Sequence, residues 1–241
     1  MLCLLSPSKT MNLDPIDRDL PHTQTPFLAH SEKLAAELKK LSSKELATMM
    51  SVSENIANLN YDRYQNWLTP FTTKNSKQAL LTFIGDVYRD IDVENYTKED
   101  FAFAQECLRT ISGLYGLLRP LDLIQPYRLE MKFRYKYWKA ILTEHLQDYK
   151  DPIINLASKE YSSAIDLKKL QADVYNIVFK EKKPAGYKTI PLYSKIARGT
   201  MANWIVMQRI TEPQKLQAFK EDDYKFAPEL STKQEFVFTR G

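Results

Sequence analysis

The feature that most constrains this chain is how far apart its strands lie in sequence. Leu2–Leu5 is a short apolar run of the kind found in a strand buried on both faces. The other runs with strand character lie far downstream, at Pro152–Leu156, Val174–Phe179, Thr189–Leu192 and Glu235–Thr239. Backbone N–H and C=O groups that leave water must be paired. The first strand therefore has to take its partner from the second half of the chain. Such interleaving predicts one mixed sheet surrounded by helices. The fold class is α+β (mixed α/β), a single domain over residues 1–241.

The intervening segments carry the helical period. Leu28, Leu34, Ala35, Leu38 and Leu41 line one face of a helix from about Phe27 to Leu41. Ser42 or Ser43 with Glu45 signals the start of a second helix, and Ser53 that of a third, through Ile56, Leu59 and Tyr64. Thr97 caps a helix running through Phe101, Ala104 and Leu108. Arg134–Leu146 and Ser194–Ile210 read as helices, and Asp14 to Pro26, with three prolines, as irregular chain.

Charge is distributed unevenly around a mild net +4. Residues 119–139 hold six Lys or Arg against two Asp or Glu, and residues 180–198 hold six against one. Residues 86–106 run the other way, with two basic against seven acidic side chains. A polarised surface of this kind can draw a polyanion to one face. No run is long enough to cross a bilayer, and the apolar start lacks the basic leader of a signal peptide. Two cysteines, Cys3 and Cys107, exclude a disulfide scaffold and fit a reducing cytoplasm. His22, His30 and His145 are scattered, so no metal site is expected. Walker and Rossmann glycine fingerprints are absent, and no cofactor is expected.

The densest segment is 109–134. Two of the six glycines, Gly113 and Gly116, sit three apart, followed by Arg119, Arg128, Lys132 and Arg134 with Asp122 and Glu130 between them. Pro120 and Pro126 forbid one long helix through it. A glycine turn followed by fixed cations is one way to present an anion site, since arginine matches phosphate oxygens in pairs. Alternating arginines and carboxylates also build ion-pair networks that hold loops together. Asp122 and Glu130 then orient Arg119 and Arg128. Asn155–Tyr161, Ser194–Gly199 and Ser6–Thr10 each follow an apolar run, and they place Lys9, Lys195 and Arg198 where three strand-end cations converge if the strands are neighbours.

Together Ser6-Pro7-Ser8-Lys9-Thr10, Gly85-Asp86-Val87-Tyr88, the Ser112–Met131 block, Asn155–Tyr161 and Ala197-Arg198-Gly199 resemble, in that order, the YaaA-type peroxide stress proteins. The resemblance implies a cytoplasmic protein that helps cells survive hydrogen peroxide by keeping free iron low and limiting damage to DNA. It also implies DNA binding through a positively charged cleft and a helix-hairpin-helix-like element, which carries over onto Ile111–Leu118. Two residues, Leu114 and Tyr115, separate the glycines here where that motif has one. Ile84, Ser8 and Lys132 stand where relatives often have Lys, Ala and Gly.

The leading expectation is a monomeric protein that binds double-stranded or distorted DNA without reading sequence. Gly113, Gly116, Arg119, Arg128, Lys132, Arg134, Lys195 and Arg198 form its phosphate-binding set. The alternative is an enzyme acting on a nucleotide or modified base in a basic pocket, with acid–base work among Lys9, Asp86, Glu130, Asn155 and Glu160. Iron held by the acidic 86–106 stretch ranks last. The enzyme reading requires these five residues, together with Arg119, Lys195 and Arg198, to line one deep pocket.

Overall fold

The computed structural model describes residues 1–15 and 18–241. The part of the Asp14–Pro26 segment at residues 16 and 17 lies outside them. The chain runs through β1 (Leu2–Leu5), β2 (Thr10–Met11), α1 (Leu28–Lys39), α2 (Ser43–Met50) and α3 (Glu54–Asn66). Next come β3 (Lys77–Gln78), α4 (Ala79–Thr82), β4 (Phe83–Ile84), α5 (Lys98–Cys107), β5 (Leu108–Ser112), β6 (Gly116–Leu118) and β7 (Leu123–Ile124). The second half holds α6 (Tyr135–Leu146), β8 (Ile153–Asn155), α7 (Lys159–Ser162), β9 (Val174–Lys183) and β10 (Gly186–Lys188). It ends with α8 (Pro191–Met207), β11 (Lys225–Phe226) and β12 (Glu235–Arg240).

The first strand finds one partner, β8, in the second half of the chain; the other, β5, lies in the first half, where the sequence pattern predicts the Thr97 helix to run on through Leu108. β1 lies in the interior of an eight-stranded sheet of order β11-β12-β9-β8-β1-β5-β6, with β10 beside β9. It pairs in parallel with β5 from Cys3–Leu108 to Leu5–Thr110, and with β8 from Leu2–Ile153 to Leu4–Asn155. β9 is parallel to both β8 and β12. β6, β10 and β11 run antiparallel to their neighbours. All four residues of β1 are buried, as a parallel strand covered on both faces requires. One hydrophobic cluster joins Leu2 to Phe238. Among the described residues no helix is long and apolar enough to cross a membrane.

The capping signals are realised at two of three places. Ser42–Glu45 and Thr97–Asp100 form reciprocal capping boxes at α2 and α5. Ser53 occupies the N-cap of α3, but its side chain accepts no capping bond.

Two further expectations are corrected. Thr189–Leu192 is not a strand: Pro191 takes the first position of α8, where its missing N–H costs nothing, and the nearby strand is β10. Ile111–Leu118 is not a helix-hairpin-helix-like element either. It is the β5–β6 hairpin, paired from Thr110–Leu118 to Ser112–Gly116. The Ser112 hydroxyl accepts the Leu114 and Tyr115 N–H groups at 3.2 and 3.0 Å and so closes the turn.

Candidate functional site

The topology places one crevice in advance. From β1 the chain crosses to β5 on one side of it, whereas from β8, on the other side, it moves away to β9. Strand order therefore reverses between β1 and β8. Open parallel sheets bind ligands outside the carboxyl ends of strands at such a point. Ser6 ends β1 and Asn155–Ser158 ends β8. The two loops are tied where the Ser158 N–H donates to Ser6 Oγ at 2.9 Å. Tyr88 reaches in from the Gly85 turn and donates to the Ser6 carbonyl at 3.0 Å, 3.0 Å from Thr110 Oγ1.

Glu130 is the centre of charge here. Its side chain is only 4% exposed, yet Oε1 receives both Lys9 Nζ at 3.0 Å and Arg128 Nη2 at 3.1 Å. Burial pushes its carboxyl up, but the Lys9 hydrogen bond and the charges of Lys9 and Arg128 outweigh this and hold it below the usual glutamate value. Glu130 is thus ionised at neutral pH, which suits a charge anchor and makes a poor general acid. Tyr64 donates to the Arg128 carbonyl and fixes that backbone. Glu130 Oε2 and Arg128 Nε are enclosed without hydrogen-bond partners among the described residues.

Gly113 and Gly116 are in the core, not on a phosphate-facing turn. A Cβ on Gly113 would stand 3.0 Å from the Leu129 carbonyl carbon and nearer still to its oxygen. Gly113 therefore lets the backbone that carries Arg128 and Glu130 lie against the hairpin. Gly116 has φ +72 and faces Trp138, 2.6 Å from where a Cβ would be. Burial of both removes their N–H groups from any surface partner.

The arginines divide. Arg119 is committed to buried Asp122, with Nε and Nη2 at 3.0 and 2.9 Å from Oδ1, and it also donates to the Gln24 carbonyl. Arg134 pairs with Glu37 on α1 at 3.1 Å, and exposed Lys132 lies over the Phe133 ring. These three do not join the strand-end group. Lys195 does, because α8 is drawn against the Gly85–Tyr88 turn. Gly199 faces the Val87 backbone, and Lys195 Nζ lies 4.0 Å from Asp86 Oδ2. On the other side of that turn Ser8 donates to the Ile84 carbonyl, next to Lys9. Arg198 on the same helix is half-buried with Nε unpartnered, and burial lowers its pKa.

Lys9 and Lys195 remain 55% and 54% exposed. The recess among Ser8, Lys9, Tyr127, Arg128, Glu130 and Tyr161 measures about 10 Å³, room for roughly one water molecule. Nucleotide-sized pockets run to several hundred Å³. The five residues of the enzyme reading do not meet in one cavity. Lys9 and Glu130 pair, Asp86 faces Lys195, Asn155 donates to Asn176 at 2.9 Å, and Glu160 is exposed on α7. A far larger groove of about 640 Å³ runs along α6 beside Lys136, Lys139 and Asp166, and contains none of the expected residues.

Tyr161 belongs to the Asn155–Tyr161 motif but is not among the site residues read from the sequence, because nothing in the sequence tells a tyrosine that lines a recess from one in the core. The acidic 86–106 stretch is partly consumed as well: Asp100 takes Arg209 at 2.6 Å. Among the described residues no three His, Cys, Asp or Glu side chains converge to hold a metal. Both cysteines are buried. Burial pushes the Cys107 thiol up to about 12 and raises Cys3 well above its ordinary value.

Comparison with known proteins gives this architecture its relatives. A UPF0246 protein of Acaryochloris marina is 46% identical over 253 residues, covering the whole of both chains. A UPF0246 protein of Cellvibrio japonicus is 42% identical over 256 residues, covering all of this chain and 98% of its own length. The family model described as peroxide stress protein YaaA matches residues 1–230. The chain belongs to the YaaA peroxide stress protein family.

Proposed function

We propose that this protein acts in the response to peroxide by binding DNA through phosphates, without reading sequence. The observation that carries this reading is the cationic mouth at the carboxyl ends of the parallel strands. Lys9 and Arg128 there line a recess too small to enclose a nucleotide, and Lys195 on α8 reaches the adjoining Gly85–Tyr88 turn. Exposed Lys9 and Lys195 over an anchored base suit a polyanion lying across the surface, and phosphate contacts of this kind position a duplex without specifying bases. The same geometry supports binding over turnover on a nucleotide, since the recess encloses no nucleotide and Glu130, held ionised, is a poor general acid.

Direct consumption of peroxide by thiol chemistry finds no support, because the thiolate is the reactive species and both cysteines are buried with raised pKa. Lower free iron, the other half of the family expectation, is assigned to an indirect route, as no described cluster could hold the metal.

The test is fluorescence anisotropy with labelled duplex DNA over a salt series, comparing the wild type with Lys9→Ala/Lys195→Ala and with Arg119→Ala. The double variant should lose affinity and flatten the salt slope by about 1.8, near 0.9 per phosphate released. Arg119→Ala should keep that slope. Salt-independent affinity, or an unchanged slope in the double variant, would sink the proposal.

A further inference from the structure

β9 has two unlike faces. Tyr175, Ile177, Phe179 and Glu181 are buried, whereas Asn176 and Lys180 on the other face are half-buried and Lys182 is exposed. The closed face is covered by the second half of the chain, where Phe179 meets Phe219 and Tyr224. The other face begins at the strand-end site, with Asn176 accepting from Asn155, is partly covered at Val178, whose neighbour Val237 on β12 is buried, and opens only at Lys180 and Lys182. It ends on the β9–β10 hairpin, where Tyr187 stands directly opposite Lys182, so the two side chains share that face.

Residues 182–189 are all exposed, and Tyr187 is 41% exposed with no ring stacked on it. Residues 180–188 carry four lysines and one glutamate. That glutamate, Glu181, lies on the closed face and is taken by Arg240 at 2.9 Å and by the Tyr224 hydroxyl. Among the described residues none of the four lysines forms an ion pair. A row of uncompensated cations ending in an exposed aromatic ring is the pairing that single-stranded nucleic acid recognises: charge for its phosphates, a flat surface for a base. Lys180 and Lys182, two residues apart on one strand, are spaced by about 6.6 Å.

We propose that the open end of β9, from Lys180 through Lys182 to Tyr187 on β10, is a track for an unpaired DNA strand. The inference rests on the DNA-binding reading above and adds to it a preference for DNA that has lost its pairing. Lys180 and Lys182 hold phosphates, and Tyr187 stacks on a base. The strand-end mouth then grips the flanking duplex.

The experiment is anisotropy of the full chain against labelled single-stranded, bubble and fully paired DNA. The proteins compared are the wild type, Tyr187→Ala, Tyr187→Phe and Lys180→Ala/Lys182→Ala, each checked for an unchanged melting curve. Tyr187→Ala should weaken single-stranded and bubble binding about tenfold and leave the duplex alone, while Tyr187→Phe keeps the stacking. The lysine pair should lower the single-strand salt slope by about 1.4. A wild type that binds DNA while all three variants bind unpaired strands equally well would overturn the track and leave the DNA reading standing. A wild type that binds no DNA would overturn both.

Discussion

Replacing Gly199 by alanine separates two physical effects of opposite sign. Gly199 lies inside α8, where alanine is the better helix former by about 1 kcal/mol. On propensity alone Gly199→Ala should stabilise, raising the melting temperature by about 2–4 °C for a chain of this size. The packing says the reverse. A Cβ at this position would stand 2.7 Å from the Val87 carbonyl carbon and closer to its oxygen. The obstacle is backbone, so no rotamer change relieves it, and either α8 or the Gly85–Tyr88 turn must move. Overpacking of this kind costs roughly 1–3 kcal/mol, and a backbone clash belongs at the upper end. The net expectation is a loss of about 2 kcal/mol, or a fall of about 4–8 °C. Thermal unfolding followed by far-ultraviolet circular dichroism reads it directly. A variant as stable as the wild type, or more so, would refute the claim that close backbone contact fixes α8 on the strand-end loops. Because Lys195 rides on the same helix, DNA affinity measured below the transition should fall as well.

Two further predictions concern ionisation. Glu130 is held below its ordinary value, so its contribution to stability is complete above about pH 4.5 and is lost as pH falls through the lower folded value. Glu130→Gln should cost about 2 kcal/mol in denaturant unfolding at neutral pH, a difference that shrinks at acid pH; a gap that does not narrow there would refute the assignment. Cys3 and Cys107 should be unreactive toward a chromogenic disulfide reagent in the native protein and react together on unfolding. Rapid native reaction of either would contradict their burial.

What could be read from the sequence was what depends on near neighbours. The Ser42–Glu45 and Thr97–Asp100 boxes are local bonds three residues apart; spacing pointed to Glu45 and to Thr97 as a cap, while Asp100 as its partner emerged only in the structure. The pairing of Arg119 with Asp122 and of Arg128 with Glu130 was equally local. The glycine turn was misread for a physical reason. Gly113 and Gly116 do permit close approach, but what approaches is Leu129 and Trp138, and no sequence pattern says which atoms fill the space a missing Cβ leaves. Thr189–Leu192 was misread because a β-branched run before Pro191 fits a strand end and a helix start equally well. The union of Lys9 with Glu130, 121 positions apart, followed only once β1 had been placed in the sheet.

That placement of β1 also orders the birth of the molecule. Its two flanking strands are residues 108–112 and 153–155, so β1, once made, must wait for about 150 further residues before both of its edges are covered. At roughly 5–20 residues per second this leaves an unpaired, wholly apolar segment exposed for about ten seconds or more of synthesis. Pairings between such distant segments also slow folding once the chain is complete. Sticky unpaired strands of this kind are what holding chaperones bind, so the nascent protein is a natural client for them. Shortening the wait by circular permutation, with β1 moved to follow β12, should raise the yield of folded protein when chaperones are scarce.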